Sequence, residues 1–484
     1  MQKRLLFLAL SLFTVLHIAS AKTEITRDSG YSIQIKLTNY TNDTLFLGYQ
    51  MGNQSYIKDT AFLDKKSGEF TFKGKKDLEP GAYIVILRPA NDYFQIMINE
   101  HEQKFYFYTD GKDYYTNAKT NSADNTAFLK YMNYLNDKRK EADKIVAKKD
   151  ASFKKDLEGL DVEVKAYQQK VIEQNPKSVT SLLIKSAIDV QLPKFPEAKD
   201  STELRLKEYY YYKQHYFDNY EMSNRAILRT PVLAKQLDTY IEKLTPQQPD
   251  SINESLDRIF GLFKDNKDAF QYYFVQYLNQ YAKSNLVGFD AVYVHLALKY
   301  IATGQADAFI EKDNREKIID NAARKEPTLI GKKAPNIKTY LEDGKPIELY
   351  DIKAKYTIMF FYAYDCGHCQ KQSPILVDFY KKAKEKNLDI KVITISTKKG
   401  EENIVPSWKY TKEKQFDDFI NTNDPFTISR YSTLYDIQTT PQLYVLDENK
   451  VIRSKGIEAK QLDEVIDYIM KEEADKITKT AGNK

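Results

Sequence analysis

The hydrophobic period changes twice along this 484-residue chain, and each change asks for a different architecture. Up to about residue 118 apolar and polar residues alternate, as in Tyr31-Ser-Ile33-Gln-Ile35-Lys-Leu37, Glu69-Phe70-Thr-Phe72, Tyr83-Ile-Val-Ile86 and Phe105-Tyr106-Phe107-Tyr108. A period of two sends successive side chains to opposite faces of a strand. Turn clusters at Asn39 to Asp43 and at Pro80-Gly81 separate these runs, so residues 22–118 are expected to form a small antiparallel, β-sandwich-like domain. Its aromatic stripes read as core, with a carbohydrate or peptide platform as the alternative.

From about Ser122 to Lys325 the period becomes helical. Thr230-Pro231 offers a cap and a first-turn proline ahead of Leu233, Leu237, Tyr240 and Leu244, and Phe270, Phe274 and Tyr277 repeat the spacing. Seven to nine helices fit, giving an all-α domain over 119–328. The charge-dense stretch Lys138 to Lys155 reads as a solvated helix face. The four tyrosines Tyr209 to Tyr212 must point in several directions, some buried and some toward another domain. No fixed repeat length supports a solenoid.

Near Ile330 the pattern changes again. Pro335 to Leu349 reads as a hairpin turning at Glu342-Asp343-Gly344, and Tyr356 to Tyr362 as a buried strand. A helix carrying Leu376, Phe379, Tyr380 and Ala383 on one face follows, then a strand from Leu388 to Ser396. Gln442 to Leu446 and Val451 to Lys455 form a second hairpin, and Leu462, Val465, Ile466 and Ile469 mark a last helix. Alternating strands and helices argue an α/β sheet over 329–472, followed by a polar tail at 473–484. The chain as a whole is expected to be a multidomain α+β protein.

Residues 1–21 open with Lys3 and Arg4, run apolar to about Ile18 and end on Ala19-Ser20-Ala21, the pattern of a cleavable signal peptide. The apolar run falls short of the ~20 residues a membrane-spanning helix needs, so no stable membrane insertion is expected. The 73 basic and 68 acidic residues nearly balance and are mixed throughout, which argues against nucleic-acid binding. A chain this long can build several cores without covalent staples.

All the cysteine in the chain lies in Cys366-Gly367-His368-Cys369, directly after the buried strand. A strand that ends in a short loop delivers Cys366 to a helix N-terminus, where unpaired N–H groups and the helix dipole favour a thiolate. A protonated His368 adds to that effect. Cys369, one turn further on, suits a resolving role. Pro374 is expected to kink the helix. A structural disulfide across two residues would constrain little unfolded-chain entropy. Zinc needs four ligands, and His101, His215, His295 and His368 show no ligand spacing with the pair, so no metal is expected. A peroxidase would need threonine where Ala363 stands. His295 reads as a satisfied core histidine, and His101 and His215 have no evident partner.

These residues carry a family resemblance. Gly331-x-x-Ala334-Pro335, Asp343-Gly344-Lys345, the strand into Cys366-x-x-Cys369, Pro374 and Tyr435-Asp436-Ile437-x-x-Thr440-Pro441 together resemble the exported thioredoxin-fold thiol:disulfide oxidoreductases related to TlpA and ResA, with an AhpC/TSA-type domain. The resemblance covers about Leu329 to Met470. It implies a cis Thr440-Pro441 bond facing the cysteines, with the Thr440 backbone pairing to substrate. The longer gap between Cys369 and Pro441 implies an insertion around Lys398 to Tyr431, which holds Trp408, either a core residue or a border of the substrate groove. Asp365 stands where the family usually has tryptophan. Gly367-His368 is the pair of disulfide isomerases, which moves the expected poise from roughly −270 mV toward about −180 mV. Phe360 and Gln372 occupy the two positions whose carboxylates take the Cys369 proton in relatives, and Asp365 is the candidate substitute. The first two regions resemble domains of uncertain function that precede such thioredoxin domains in Gram-negative bacteria.

The expected function is periplasmic disulfide exchange with protein substrates, catalysed by Cys366 and Cys369, tuned by Asp365, Gly367 and His368, with Thr440 and Pro441 binding substrate. No nicotinamide or flavin motif is present, so no cofactor is expected and a thioredoxin-type membrane donor would supply electrons. Whether the enzyme reduces, oxidises or isomerises stays open. The alternative is a peptide- or glycan-binding envelope protein whose thioredoxin domain is auxiliary.

Overall fold

In the computed structural model, which describes residues 29–148 and 153–482, eight strands open the chain. They are β1 (Tyr31–Thr38), β2 (Thr44–Met51), β3 (Gln54–Asp64), β4 (Glu69–Gly74), β5 (Gly81–Leu87), β6 (Asp92–Ile98), β7 (Lys104–Asp110) and β8 (Lys119–Thr120). The alternation does what the period predicts: Ile33, Ile35, Phe70, Phe72, Phe105 and Phe107 are all buried. The pairing is less uniform than an antiparallel sandwich. All eight strands lie in one hydrogen-bonded order, β6-β5-β2-β3-β4-β1-β7-β8, and β1 runs parallel to β7. The long stretch of chain between β1 and β7 leaves room for a parallel return, which a hairpin cannot make.

Helices α1 (Ala123–Lys148) and α2 (Phe153–Gln174) follow. By contacts, α1 and most of α2 group with the sheet, in a unit made of the described residues up to 48 and within 57–167. The reason is visible in Asn125, whose buried carboxamide accepts from the Met97 N–H at 2.8 Å and donates to the Met97 carbonyl at 2.8 Å. That pairing satisfies an edge of β6 that would otherwise lack a partner.

The second unit comprises residues 49–56 and 168–484. Its helical part holds α3 (Val179–Ser186), α4 (Ser201–His215), α5 (Leu233–Glu242), α6 (Pro249–Leu262), α7 (Lys267–Ala282), α8 (Asp290–Leu296) and α9 (Lys312–Lys325). Leu233, Leu237 and Tyr240 are buried as their spacing requires, but Thr230 does not cap α5. Its hydroxyl donates to the Ile227 carbonyl instead, closing the preceding turn. The tyrosines Tyr209 to Tyr212 correct their expectation too: α4 buries no residue, and the Tyr209 hydroxyl donates to the Leu244 carbonyl at 2.7 Å within the same helical region. His295 is half-buried rather than core and contacts Asp257 at 2.9 Å, while His215 does have a partner, Asp218 at 2.6 Å.

The last part is a seven-stranded sheet in the order β10-β9-β13-β12-β11-β14-β15. Strands β9 (Lys338–Tyr340) and β10 (Pro346–Glu348) form the first hairpin. Then come β11 (Tyr356–Tyr362), α10 (Gly367–Glu385), β12 (Ile390–Ser396), α11 (Ile404–Glu413), β13 (Ile420–Asn423), α12 (Tyr431–Leu434), β14 (Gln442–Leu446), β15 (Ile452–Lys455) and α13 (Leu462–Gly482). Every residue of β11 is buried. Its even residues, among them Phe360 and Tyr362, pack with Leu376, Phe379 and Ile466 on one face, and Met359 and Phe361 pack with Ile393, Tyr435 and Tyr444 on the other. A central strand covered on both faces accounts for the continuous apolar run.

Two expectations change here. The segment read as an insertion supplies α11 and β13, and β13 pairs parallel to β12 inside the sheet. The stretch from 473 read as a polar tail continues α13, because Glu473 accepts from the Tyr356 hydroxyl at 2.9 Å and Glu472 and Glu473 pair with Arg453. Helix α10 runs unbroken through Pro374. The signal-peptide expectation, residues 1–21, lies outside the described residues. Among the described residues no helix is long and apolar enough to cross a membrane.

Candidate active site

Strand β11 ends at Tyr362, and Ala363 to Asp365 carry the chain to Cys366, the N-cap of α10. Its φ of −83° and ψ of 117° are extended, and its sulfur accepts a hydrogen bond from the Cys369 N–H at 3.3 Å. Cys366 thus does for α10 what serine or aspartate does at other N-termini, and it sits where the dipole favours negative charge. The thiol also reaches the Thr440 carbonyl at 3.2 Å, and the Thr440–Pro441 bond is cis.

Both cysteines are unbonded thiols, and their surroundings differ. Burial opposes ionisation of Cys366, but the Cys369 thiol, the Cys369 N–H, the Thr440 side chain and the His368 N–H outweigh it and hold the pKa below the ordinary thiol range. Cys369 is fully buried, and burial, reinforced by the hydrogen bond to Cys366, pushes its pKa up to about 12.

The remaining motif residues are placed as follows. Gly367 and His368 are exposed on the first turn of α10. Asp365 is also exposed and its carboxylate is taken by Lys398, so it is not aimed at Cys369. Phe360 is buried and stacks on Tyr362, and the Gln372 side-chain oxygen Oε1 accepts from the Ala459 N–H at 2.7 Å. Cys366, Cys369, Thr440 and Pro441 are therefore brought together, and Asp365 is not.

Three further groups, Tyr362, Tyr410 and Ser373, cluster around Cys369 and escape a reading of the sequence. Tyr362 and Tyr410 stack with centroids 5.0 Å apart, and both phenols lie within electrostatic reach of the Cys369 sulfur. The Tyr410 hydroxyl bonds Ser373 at 2.7 Å, one turn after Cys369. Tyr410 belongs to α11, so no motif around the cysteines announces it. Asp436, with a 10% exposed side chain, pairs with Arg324 at 3.5 Å and Lys325 at 3.3 Å, which ties the loop leading to Thr440 to the end of α9. Among the described residues no group of three or more His, Cys, Asp or Glu side chains is placed to hold a metal.

Comparison with known proteins agrees with this geometry. The AhpC/TSA family matches residues 330–455, and two domains of unknown function, DUF4369 and DUF5106, match 31–128 and 164–324. A thiol-disulfide oxidoreductase ResA of Bacillus cereus is 28% identical over 153 residues, 31% of this chain and 82% of that protein. ResA of Bacillus anthracis is 41% identical over 68 residues, 14% of this chain and 39% of that protein. A solved domain of a possible thiol-disulfide isomerase from Cytophaga hutchinsonii is 37% identical, with a TM-score of 0.28, covering 31% of this chain and 97% of that one. Residues 330–455 belong to the AhpC/TSA family as a thioredoxin-fold domain homologous to thiol-disulfide oxidoreductases, carried behind two domains of unknown function.

Proposed function

We propose that the chain is a periplasmic thiol:disulfide oxidoreductase in which Cys366 attacks and Cys369 resolves. The supporting observation is the asymmetry of the pair: a half-exposed thiol with a lowered pKa at a helix N-cap, and a buried one held protonated behind it. The Cys366 thiolate attacks one sulfur of a substrate disulfide, forming a mixed disulfide and releasing the other substrate sulfur as a thiolate. Cys369 then loses its proton and attacks the Cys366 sulfur. The second substrate thiol leaves, and the enzyme is left with a Cys366–Cys369 disulfide. Two electrons from a thioredoxin-type membrane donor restore the dithiol. Thr440 and Pro441 line the approach and offer the Thr440 backbone to the incoming chain, while Gly367 and His368, in the first turn of α10, tune the pair, the His368 N–H favouring the Cys366 thiolate. The leader-like residues 1–21 motivate the periplasmic assignment.

The test is Cys369→Ser in the full chain. The variant should accumulate mixed disulfides with protein substrates, resolved as higher-mass bands that collapse on reduction. No trapped species, together with no turnover of a model disulfide by the unmodified enzyme, would sink the proposal.

A further inference from the structure

At the edge of the sheet that carries the cysteines lies a cavity of about 390 Å³ that the exchange chemistry does not use. Strand register locates it. Tyr362, which leads to Cys366, pairs with Ser396 in β12, and Ser396 pairs with Asn423 at the end of β13. At a strand spacing of about 4.8 Å, Asn423 stands roughly 10 Å from the strand that delivers Cys366. The three strands are parallel, so both residues lie at their C-terminal edge, where ligands collect in open α/β sheets.

The walls are apolar and aromatic, formed mainly by Tyr340, Leu341, Ile404, Trp408, Phe426 and Ile428. Phe426 is 58% exposed and Ile428 57% exposed, so two large apolar side chains stand in water at this site. The cavity also contains a polar anomaly. Asn423 lines it and is only 3% exposed, yet neither the nitrogen nor the oxygen of its carboxamide has a partner. A buried donor and acceptor left unmet on one side chain cost stability and return nothing within the fold. A peptide bond carries one N–H and one C=O, the complement of that carboxamide.

We propose that the cavity holds an apolar side chain of an extended polypeptide whose cysteine reacts at Cys366, with Asn423 pairing to that polypeptide's backbone amide. The cavity and the exchange site lie at the C-terminal edge of the same three parallel strands. About three residues of extended chain cover the roughly 10 Å between Asn423 and the strand that delivers Cys366. The favoured substrate is then a flexible segment with an aromatic or branched apolar residue about three positions from its cysteine, since folded domains keep such residues inside. This inference rests on the exchange reading for its polypeptide, and the test separates the two.

Trp408 is the only tryptophan in the chain and forms part of the cavity wall, so its fluorescence reports occupancy. The probe is a ten-residue peptide with serine in place of cysteine and phenylalanine three positions away, compared with the same peptide carrying alanine there. The phenylalanine peptide should shift Trp408 emission saturably in the full-length protein and in its Cys366→Ser/Cys369→Ser form, and the alanine peptide should not. Asn423→Leu and Phe426→Ala should each weaken binding about fivefold, the worth of one hydrogen bond or one apolar contact. The exposed Phe426→Ala carries the test if Asn423→Leu does not fold. For the cysteine-containing peptide disulfide, KM should rise by the same factor in these variants, while exchange with glutathione disulfide holds. Unmoved Trp408 emission with glutathione disulfide still exchanged would overturn the cavity inference and leave the exchange reading standing. Saturable binding by a protein that exchanges neither disulfide would overturn the exchange reading, and with it the reason for a substrate peptide.

Discussion

A thiol attacks as its anion, so the division of labour between Cys366 and Cys369 lies in how each environment treats a negative charge. Cys366 meets two N–H groups at a helix N-terminus, and its pKa falls; Cys369 is enclosed, and its pKa rises to about 12. At pH 7 iodoacetamide should therefore label Cys366 in the reduced protein and spare Cys369, read by peptide mass mapping. The labelling rate of Cys366 should fall on acidification through a midpoint below that of an ordinary thiol. Because the Thr440 side chain helps lower that pKa, Thr440→Val should move the midpoint upward. Equal labelling of both cysteines, or a midpoint untouched by Thr440→Val, would contradict the assignment of these environments.

Among the elements, those with a strong period are legible from the sequence and those held by polar contacts are not. Strand β11 and helix α10 announce themselves through unbroken apolar residues and a one-sided apolar face, and both lie within a few residues of where the pattern puts them. Strand β13, Ile420-Asn-Thr-Asn423, has no such signal. It is placed by pairing with β12 and by the Thr422 hydroxyl, which donates to the Thr394 carbonyl at 2.8 Å. The cysteines are likewise legible and the Tyr410–Ser373 contact is not, because sequence distance hides α11 from α10. That contact joins two buried hydroxyls 2.7 Å apart, 2% and 0% exposed by residue. Tyr410→Phe should leave the Ser373 hydroxyl unmet and destabilise the protein by about 1–3 kcal/mol in chemical denaturation. Adding Ser373→Ala should recover part of the loss, giving a non-zero coupling energy in the double-mutant cycle. Strict additivity would mean that the two helices are held together by their apolar contacts alone.

On the scale of the whole molecule, the question is why a redox domain of this size is carried on seven helices that have no cysteine. Within the second unit an ion pair joins the two: Asp290, in the first turn of α8, contacts Lys455 of β15 at 2.5 Å. Lys455 has a 12% exposed side chain, and burial holds its pKa below the ordinary lysine range despite the Asp290 charge. A cation in that position depends on its partner more than it gains from it, since desolvation offsets most of the attraction. Asp290→Ala should therefore cost about 3–5 kcal/mol, the penalty for stranding a buried charge. Lys455→Met in the same background should recover most of it, because the methylenes stay packed and the charge is gone. If the helices and the sheet unfold as one cooperative unit, the loss should appear equally in the helical circular-dichroism transition and in the protection of Cys369 from alkylation. A drop confined to one of the two signals would show that the redox domain folds on its own and that the helices are passengers. A shared drop would make the helical region part of the scaffold that keeps Cys369 buried.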